Sequence, residues 1–219
     1  MSGEAGQEDC GVRNHRTWIK ICGLTSIQEA EWVNEVQADF AGMVLFFPKS
    51  KRNITTKQAE GILQALNGQI GKVAVVVSPS PQQIRELQSL PFDYIQVHGE
   101  IARESLERLR KQPFLRAFNG DNMKEYKMYE KITSCAGFVF DAAEPGSGRP
   151  FDWNMIPQMP ASDKFYLLAG GLTPENVGEA VARIHPDGVD VSSGVETESG
   201  TGKDLRKIKA FVDAVRHEK

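Results

Sequence analysis

From Trp18 onward, short apolar, β-rich runs alternate with stretches whose apolar positions recur at helical spacing. The first run, Trp18-Ile-Lys-Ile-Cys22, precedes a helix expected from about Ser26 to Val36, where Ser26 and Glu29 have the spacing of a capping box. Phe40 to Leu45 precedes a helix from about Thr55 to Leu66, with Thr55 and Gln58 repeating that spacing. Lys72 to Val77 is a nearly continuous apolar strand, and its helix opens at Ser80-Pro81, with proline at the first helical position. Tyr94 to Val97 leads to a charged helix from about Arg103 to Lys111, and Phe114 to Phe118 to one from about Asn122 to Lys131. Gly137 to Phe140 is followed by a Gly/Pro-rich loop and a short helix near Asp152 to Ile156. Phe165 to Ala169 leads to the helix start Thr173-Pro174-Glu175 and a helix to Arg183. Gly188 to Val191 then leads to a helix from about Asp204 to Arg216.

Eight strand–helix units without a long linker predict an α/β chain folded as a single (βα)8 TIM barrel over residues 18–219. Buried parallel strands read as unbroken apolar runs, as Val73-Ala-Val-Val-Val77 does. An open flavodoxin-like or Rossmann sheet needs fewer units and leaves several of these strands unexplained.

Composition narrows the function. The 219 residues are 40% hydrophobic and 25% charged, the balance of a globular protein with a substantial core. The net charge is −3 and the basic residues are dispersed, so no stripe is available to track a nucleic-acid backbone. Cys10, Cys22 and Cys135 are too few for a disulfide framework or a zinc cluster, which points to a reducing compartment and no metal. No run approaches the ~20 apolar residues of a membrane span. Residues 1–17 are polar, carry no apolar signal core and read as a flexible N-terminal extension. The chain is expected to be cytoplasmic, and a monomer or a homodimer.

Active sites of such barrels lie on the loops that follow the strands. Gly170-Gly171 ends the seventh strand and Asp190-Val-Ser192-Ser193-Gly194 the eighth. Gly170 and Gly171 let the backbone approach an anion, and the helix expected at Thr173 aims its positive dipole end at one. Ser192, Ser193 and Gly194 offer further donors; the bland alternative is that these glycines only permit tight turns. Cys22 is either a small buried hydrophobe or, at a strand end before glycine, a reactive thiol. Asp141 emerges from the apolar Gly-Phe-Val-Phe140, where desolvation favours a protonated carboxyl. Arg52 is a solvated charge like Lys49 and Lys51, or a two-bond clamp for a carboxylate. His98 lines the same end or bonds a neighbouring strand.

At these residues the sequence resembles the phosphoribosylanthranilate isomerase family of tryptophan biosynthesis. The resemblance rests on Lys20-Ile-Cys22-Gly-Leu-Thr25, Phe47-Pro-Lys-Ser-Lys-Arg52, Gln96-Val-His98-Gly-Glu100, Gly148-Arg-Pro-Phe-Asp152-Trp153, Ala169-Gly-Gly-Leu-Thr-Pro-Glu-Asn176 and Val189-Asp-Val-Ser-Ser-Gly-Val-Glu196, in family order over nearly the whole chain. It implies a cofactor-free Amadori rearrangement of a phosphorylated aminoaldose, N-(5-phosphoribosyl)anthranilate, to an aminoketose. It further implies Cys22 as general base, Asp141 as general acid and Arg52 on the anthranilate carboxylate. Gly170, Gly171, Ser192, Ser193 and Gly194 fall at the phosphate site, and His98 and Asp190 line the pocket.

Those roles set requirements. An aspartate with a usual pKa of about 3.9 must be raised by roughly 3 units, or ~4 kcal/mol, to stay largely protonated near pH 7. A thiol near 8.5 needs modest help to ionise, and Lys20, on the same face of the strand as Cys22, is placed to supply it. The chain departs from the family pattern in Ala142-Ala-Glu-Pro-Gly-Ser-Gly148, which lacks a double glycine, and in Thr197-Glu-Ser-Gly-Thr-Gly202, which lacks a proline. Two rivals stand beside this reading. The related isomerase of histidine biosynthesis expects an aspartate base where Cys22 stands, and a second phosphate grip. A non-catalytic phosphate-binding barrel leaves Cys22 and Asp141 without a purpose.

Overall fold

Strand placement follows from the apolar runs. A computed structural model describes residues 16–119, 125–141 and 164–217. Its strands are β1 (Trp18–Cys22), β2 (Phe40–Leu45), β3 (Gly71–Val77), β4 (Tyr94–His98), β5 (Phe114–Phe118), β6 (Cys135–Asp141), β7 (Phe165–Ala169) and β8 (Gly188–Val191). Each pairs in parallel with the next, and β1 pairs with both β2 and β8, so the sheet closes into a ring. A two-residue strand, Asn53–Ile54, adds itself beside the end of β2 by pairing Val44 with Asn53.

The helices are α1 (Ile27–Glu35), α2 (Thr56–Ala65), α3 (Pro81–Gln88), α4 (Arg103–Leu109), α5 (Tyr126–Glu130), α6 (Val177–Ile184) and α7 (Leu205–Arg216). Both expected capping boxes form, Ser26 with Glu29 and Thr55 with Gln58, and Ser80 with Gln83 makes a third. One start differs from expectation. The side chain of Asn176 accepts from the Thr173 N–H at 2.8 Å and donates to the Gly171 carbonyl at 3.0 Å. That holds Thr173 to Asn176 as a turn, and α6 begins at Val177 rather than at Thr173. The helix expected near Asp152 to Ile156 lies outside the described residues. So does most of the 1–17 extension; Arg16 is described, and donates to Asp39 at 2.5 Å.

Strand alternation sorts the core in two. Outward residues such as Ile19, Ile21, Met43 and Val97 pack against the helices. Inward residues Cys22, Phe40, Val73, Val75, Leu115, Ala117, Val139, Leu167 and Ala169 fill the barrel. At its N-terminal end Trp18, Phe40, Tyr94 and Phe165 meet with ring centroids 5.2 to 6.4 Å apart and make an aromatic floor. Each buried ring or branched side chain contributes roughly 1.5–3 kcal/mol through area removed from water. The opposite, C-terminal end carries the polar side chains.

Candidate active site

Cys22 is the last residue of β1, opposite Gly42 in register, and its backbone is fixed on both sides. The N–H groups of Gly23 and Leu24 both donate to the Gly42 carbonyl, at 2.8 and 2.9 Å. The Cys22 carbonyl accepts from the Ser192 hydroxyl at 2.9 Å. Gly23 has φ 79°, a left-handed turn that suits glycine and carries the chain sharply away from the strand.

Beneath the sulfur, Lys20 lies wholly buried, with its Nζ 2.8 Å from Asp190 Oδ2. The two residues are paired in register across β1 and β8. Asp190, expected only to line the pocket, is therefore the buried ion-pair partner of Lys20, and its Oδ1 has no hydrogen-bond partner among the described residues. Burial pushes the Cys22 thiol up; Lys20 pulls it down, but not enough to offset the burial. The help expected from Lys20 is present and is outweighed by burial.

Asp141 closes β6 opposite Ala169 of β7 and shares the inward parity of Val139, which sits in the barrel interior. Thiol and carboxyl thus stand on different sides of one mouth. His98 ends β4, its Nε2 2.9 Å from Gln96 Nε2. Burial first, and then the Lys20 and Arg116 charges, hold its imidazole down to about 4, so it is neutral at pH 7.

Arg52 is delivered to the mouth by the short strand Asn53–Ile54. Its stem passes so close to Gly23 that a Cβ there would overlap it. Its Nε donates to Glu196, which Lys51 also reaches at 2.8 Å. Burial pushes the Glu196 carboxyl up, but the Arg52 and Lys51 bonds outweigh it and keep the group low and charged. Lys203, 3% exposed, bonds the Ser192 carbonyl at 3.1 Å and lies 3.5 Å from Glu196.

The two glycine-bearing loops meet. Gly170 and Gly171 take φ 91° and 67°, left-handed turns that suit glycine. Ser193–Val195 forms a single 3-10 turn after β8, whose first N–H groups lack intrahelical acceptors. Because the Ser192 hydroxyl is given to Cys22, the donors left on this loop are the Ser193 hydroxyl and the backbone N–H groups. The expected dipole of a helix beginning at Thr173 is replaced by the Asn176 turn.

Three groups escaped the sequence reading. Gly42 is the bare spot under Cys22, while Glu196 and Lys203 knit the loop after β8 to Arg52. Glu196 stood in a quoted motif, and a glycine inside an apolar strand was the available signal for the first.

A closed barrel with its polar groups gathered at the C-terminal mouth is the class of (βα)8 enzyme that acts on a small molecule held by the strand-end loops. The profile of the family described as N-(5'phosphoribosyl)anthranilate (PRA) isomerase matches residues 19–214. The chain belongs to this family of isomerases. A protein of Pseudomonas fluorescens (strain Pf0-1) named N-(5'-phosphoribosyl)anthranilate isomerase is 40% identical over 205 residues, covering 90% of this chain and 97% of that one. The crystal structure of phosphoribosyl anthranilate isomerase from Thermotoga maritima superimposes with a TM-score of 0.80 at 32% identity, covering 91% and 98%. A structure of such an isomerase in complex with reduced 1-(o-carboxyphenylamino)-1-deoxyribulose 5-phosphate superimposes at 0.77 and 30%, covering 91% and 98%. No helix among the described residues is long and apolar enough to cross a membrane.

Proposed function

We propose that this chain catalyses the Amadori rearrangement of N-(5-phosphoribosyl)anthranilate to 1-(2-carboxyphenylamino)-1-deoxyribulose 5-phosphate, a step of L-tryptophan biosynthesis, without a cofactor. The observation that carries this reading is the placing of Cys22 and Asp141 at the inward ends of β1 and β6, in a chain whose family match runs over both strands.

The chemistry divides between those two groups. Asp141 gives its proton to the furanose ring oxygen as the C1′–O bond breaks, which opens the ring to a protonated Schiff base. The Cys22 sulfur then takes the proton from C2′, the electron pair moves to the iminium nitrogen, and an enolamine forms. Tautomerisation of the enolamine yields the ketone. Arg52 holds the anthranilate carboxylate through the guanidinium edge left by its Nε bond to Glu196. Gly170, Gly171 and the turn at Ser193-Gly194 receive the phosphate, while His98 and Asp190 contact the sugar. The carboxylate and the single phosphate account for both cationic and N–H-rich features of the mouth, which favours this substrate over the two-phosphate aminoaldose of the rival isomerase.

The enzyme acts in the cytoplasm, a reading supported by the free thiols of Cys22 and Cys135, and works as a monomer or a homodimer.

Loss of the substrate's aromatic fluorescence measures turnover. Cys22→Ser and Asp141→Asn each lower kcat by at least ~10² while ligand binding stays measurable. Full activity in either variant removes that residue from the mechanism. Arg52→Ala raises KM more than it lowers kcat; an unchanged KM removes its assigned role.

A further inference from the structure

A buried ion pair is an expensive way to join two strands, since an apolar pair of the same volume would hold β1 to β8 at least as well. Lys20 and Asp190 therefore call for another purpose, and Gly42 shows where it lies. A Cβ built on Gly42 would stand 2.8 Å from the Cys22 Sγ and 3.1 Å from the Lys20 Nζ. Sulfur and ammonium share the space that any side chain on β2 would fill. The same ammonium meets Asp190 Oδ2 at 2.8 Å, and with no second donor on Oδ1 among the described residues that carboxylate directs its charge at Lys20.

We propose that Lys20 is a positioning residue that acts as counter-ion to the Cys22 sulfur, and that Asp190 competes with the sulfur for it and so sets how readily the base ionises. This rests on the reading of Cys22 as the base. The directions of the charges agree with it: Lys20 favours the ionised sulfur, and Asp190 disfavours it. Removing either partner of a merely structural pair would disturb the site in one common direction. Removing either partner of a competing pair moves the sulfur in opposite directions. The other titratable and charged groups on this side of the barrel are Lys203 on the loop after β8, which also acts on the sulfur, the neutral His98 of β4 facing Lys20, Arg52 and Glu196 beyond Gly23, and Asp141 at the end of β6. They are common to every variant below.

The test is a pH titration of the full chain by the 13Cβ resonance of labelled cysteine, with the Cys22 signal assigned by its loss in Cys22→Ser. Lys20→Met raises the Cys22 midpoint by at least about one pH unit, a tenfold loss of thiolate, and Asp190→Asn lowers it by a similar amount. The acid limb of kcat/KM moves with each. An unmoved midpoint in Lys20→Met, or shifts of the same sign in both variants, overturns the proposal. Should Lys20→Met not fold, Asp190→Asn decides alone, because it leaves Lys20 to the sulfur; a midpoint that does not fall overturns the proposal. Failure of the base reading looks different: Cys22→Ser stays active, and the midpoints shift without moving the kcat/KM profile.

Discussion

Gly194, on the loop after β8, lies directly against Leu172, on the loop after β7: a Cβ at Gly194 would overlap the Leu172 carbonyl oxygen. The two loops proposed to receive the phosphate are in backbone contact, and only a residue without a side chain permits it. Gly194→Ala has to push them apart. We expect KM to rise at least tenfold, and inorganic phosphate to lose its power to inhibit competitively. Melting should fall by only a few degrees, since the helices and barrel are untouched. A KM within twofold of the parent would show that the loops can separate without harm.

Glu196 draws three cations, Lys51, Arg52 and Lys203, into one cluster and fixes the Nε edge of Arg52. Glu196→Gln keeps the shape and removes the charge. A charge-assisted bond is worth roughly 1.5–3 kcal/mol. The loosened guanidinium should therefore show as a rise in KM of about tenfold, the equivalent of ~1.4 kcal/mol, with kcat changed far less. Steady-state kinetics decide it. A fall in kcat at constant KM would mean that Glu196 serves the chemistry instead.

His98 links stability to pH. Its imidazole is held down to about 4 by burial and by the neighbouring Lys20 and Arg116 charges, against about 6.5 in an unfolded chain. The folded protein thus binds fewer protons between those values. The stability due to neutral His98 is complete above pH 6.5 and is lost as pH falls toward 4, at up to about 1.4 kcal/mol per pH unit. Urea unfolding at pH 7, 6, 5 and 4.5 should show this decline, and His98→Asn should flatten it. An identical slope in the variant would place the acid sensitivity elsewhere.

Phe40 is the centre of the aromatic floor, touching Trp18, Tyr94 and Phe165. Phe40→Ala removes a ring whose neighbours cannot all close in, and costs about 3–5 kcal/mol. For a domain of this size each kcal/mol lowers Tm by roughly 2–4 °C. KM should not change, because the floor is at the far end from Cys22. Calorimetry and the fluorescence assay together test both halves; a large change in KM would mean that the strands shift as units.

The strands were legible because a buried parallel strand writes itself as an apolar run. The expected bounds of Trp18–Cys22, Phe40–Leu45, Phe114–Phe118, Phe165–Ala169 and Gly188–Val191 coincide with the strands observed. Thr173-Pro174-Glu175 misled because the rule for helix starts is local, whereas the Asn176 side chain ties Thr173 to Gly171 and delays the helix. Cys22 and Asp141 could be located as strand-end groups, and Arg52 in the segment after β2, from the chain alone. The ion pair of Lys20 with Asp190 could not, since 170 positions separate the two residues and only the closure of the ring sets them in register. The same is true of Glu196 and Arg52, 144 positions apart.

The aromatic floor has a consequence for traffic through the site. With the rings of Trp18, Phe40, Tyr94 and Phe165 in edge and stacked contact, the barrel is a cul-de-sac. Whatever enters past Arg52 and Gly171 has to back out by the same route, so departing ketose and arriving aldose contend for a single doorway. Sharing one doorway makes the product a competitor of the substrate for the same mouth.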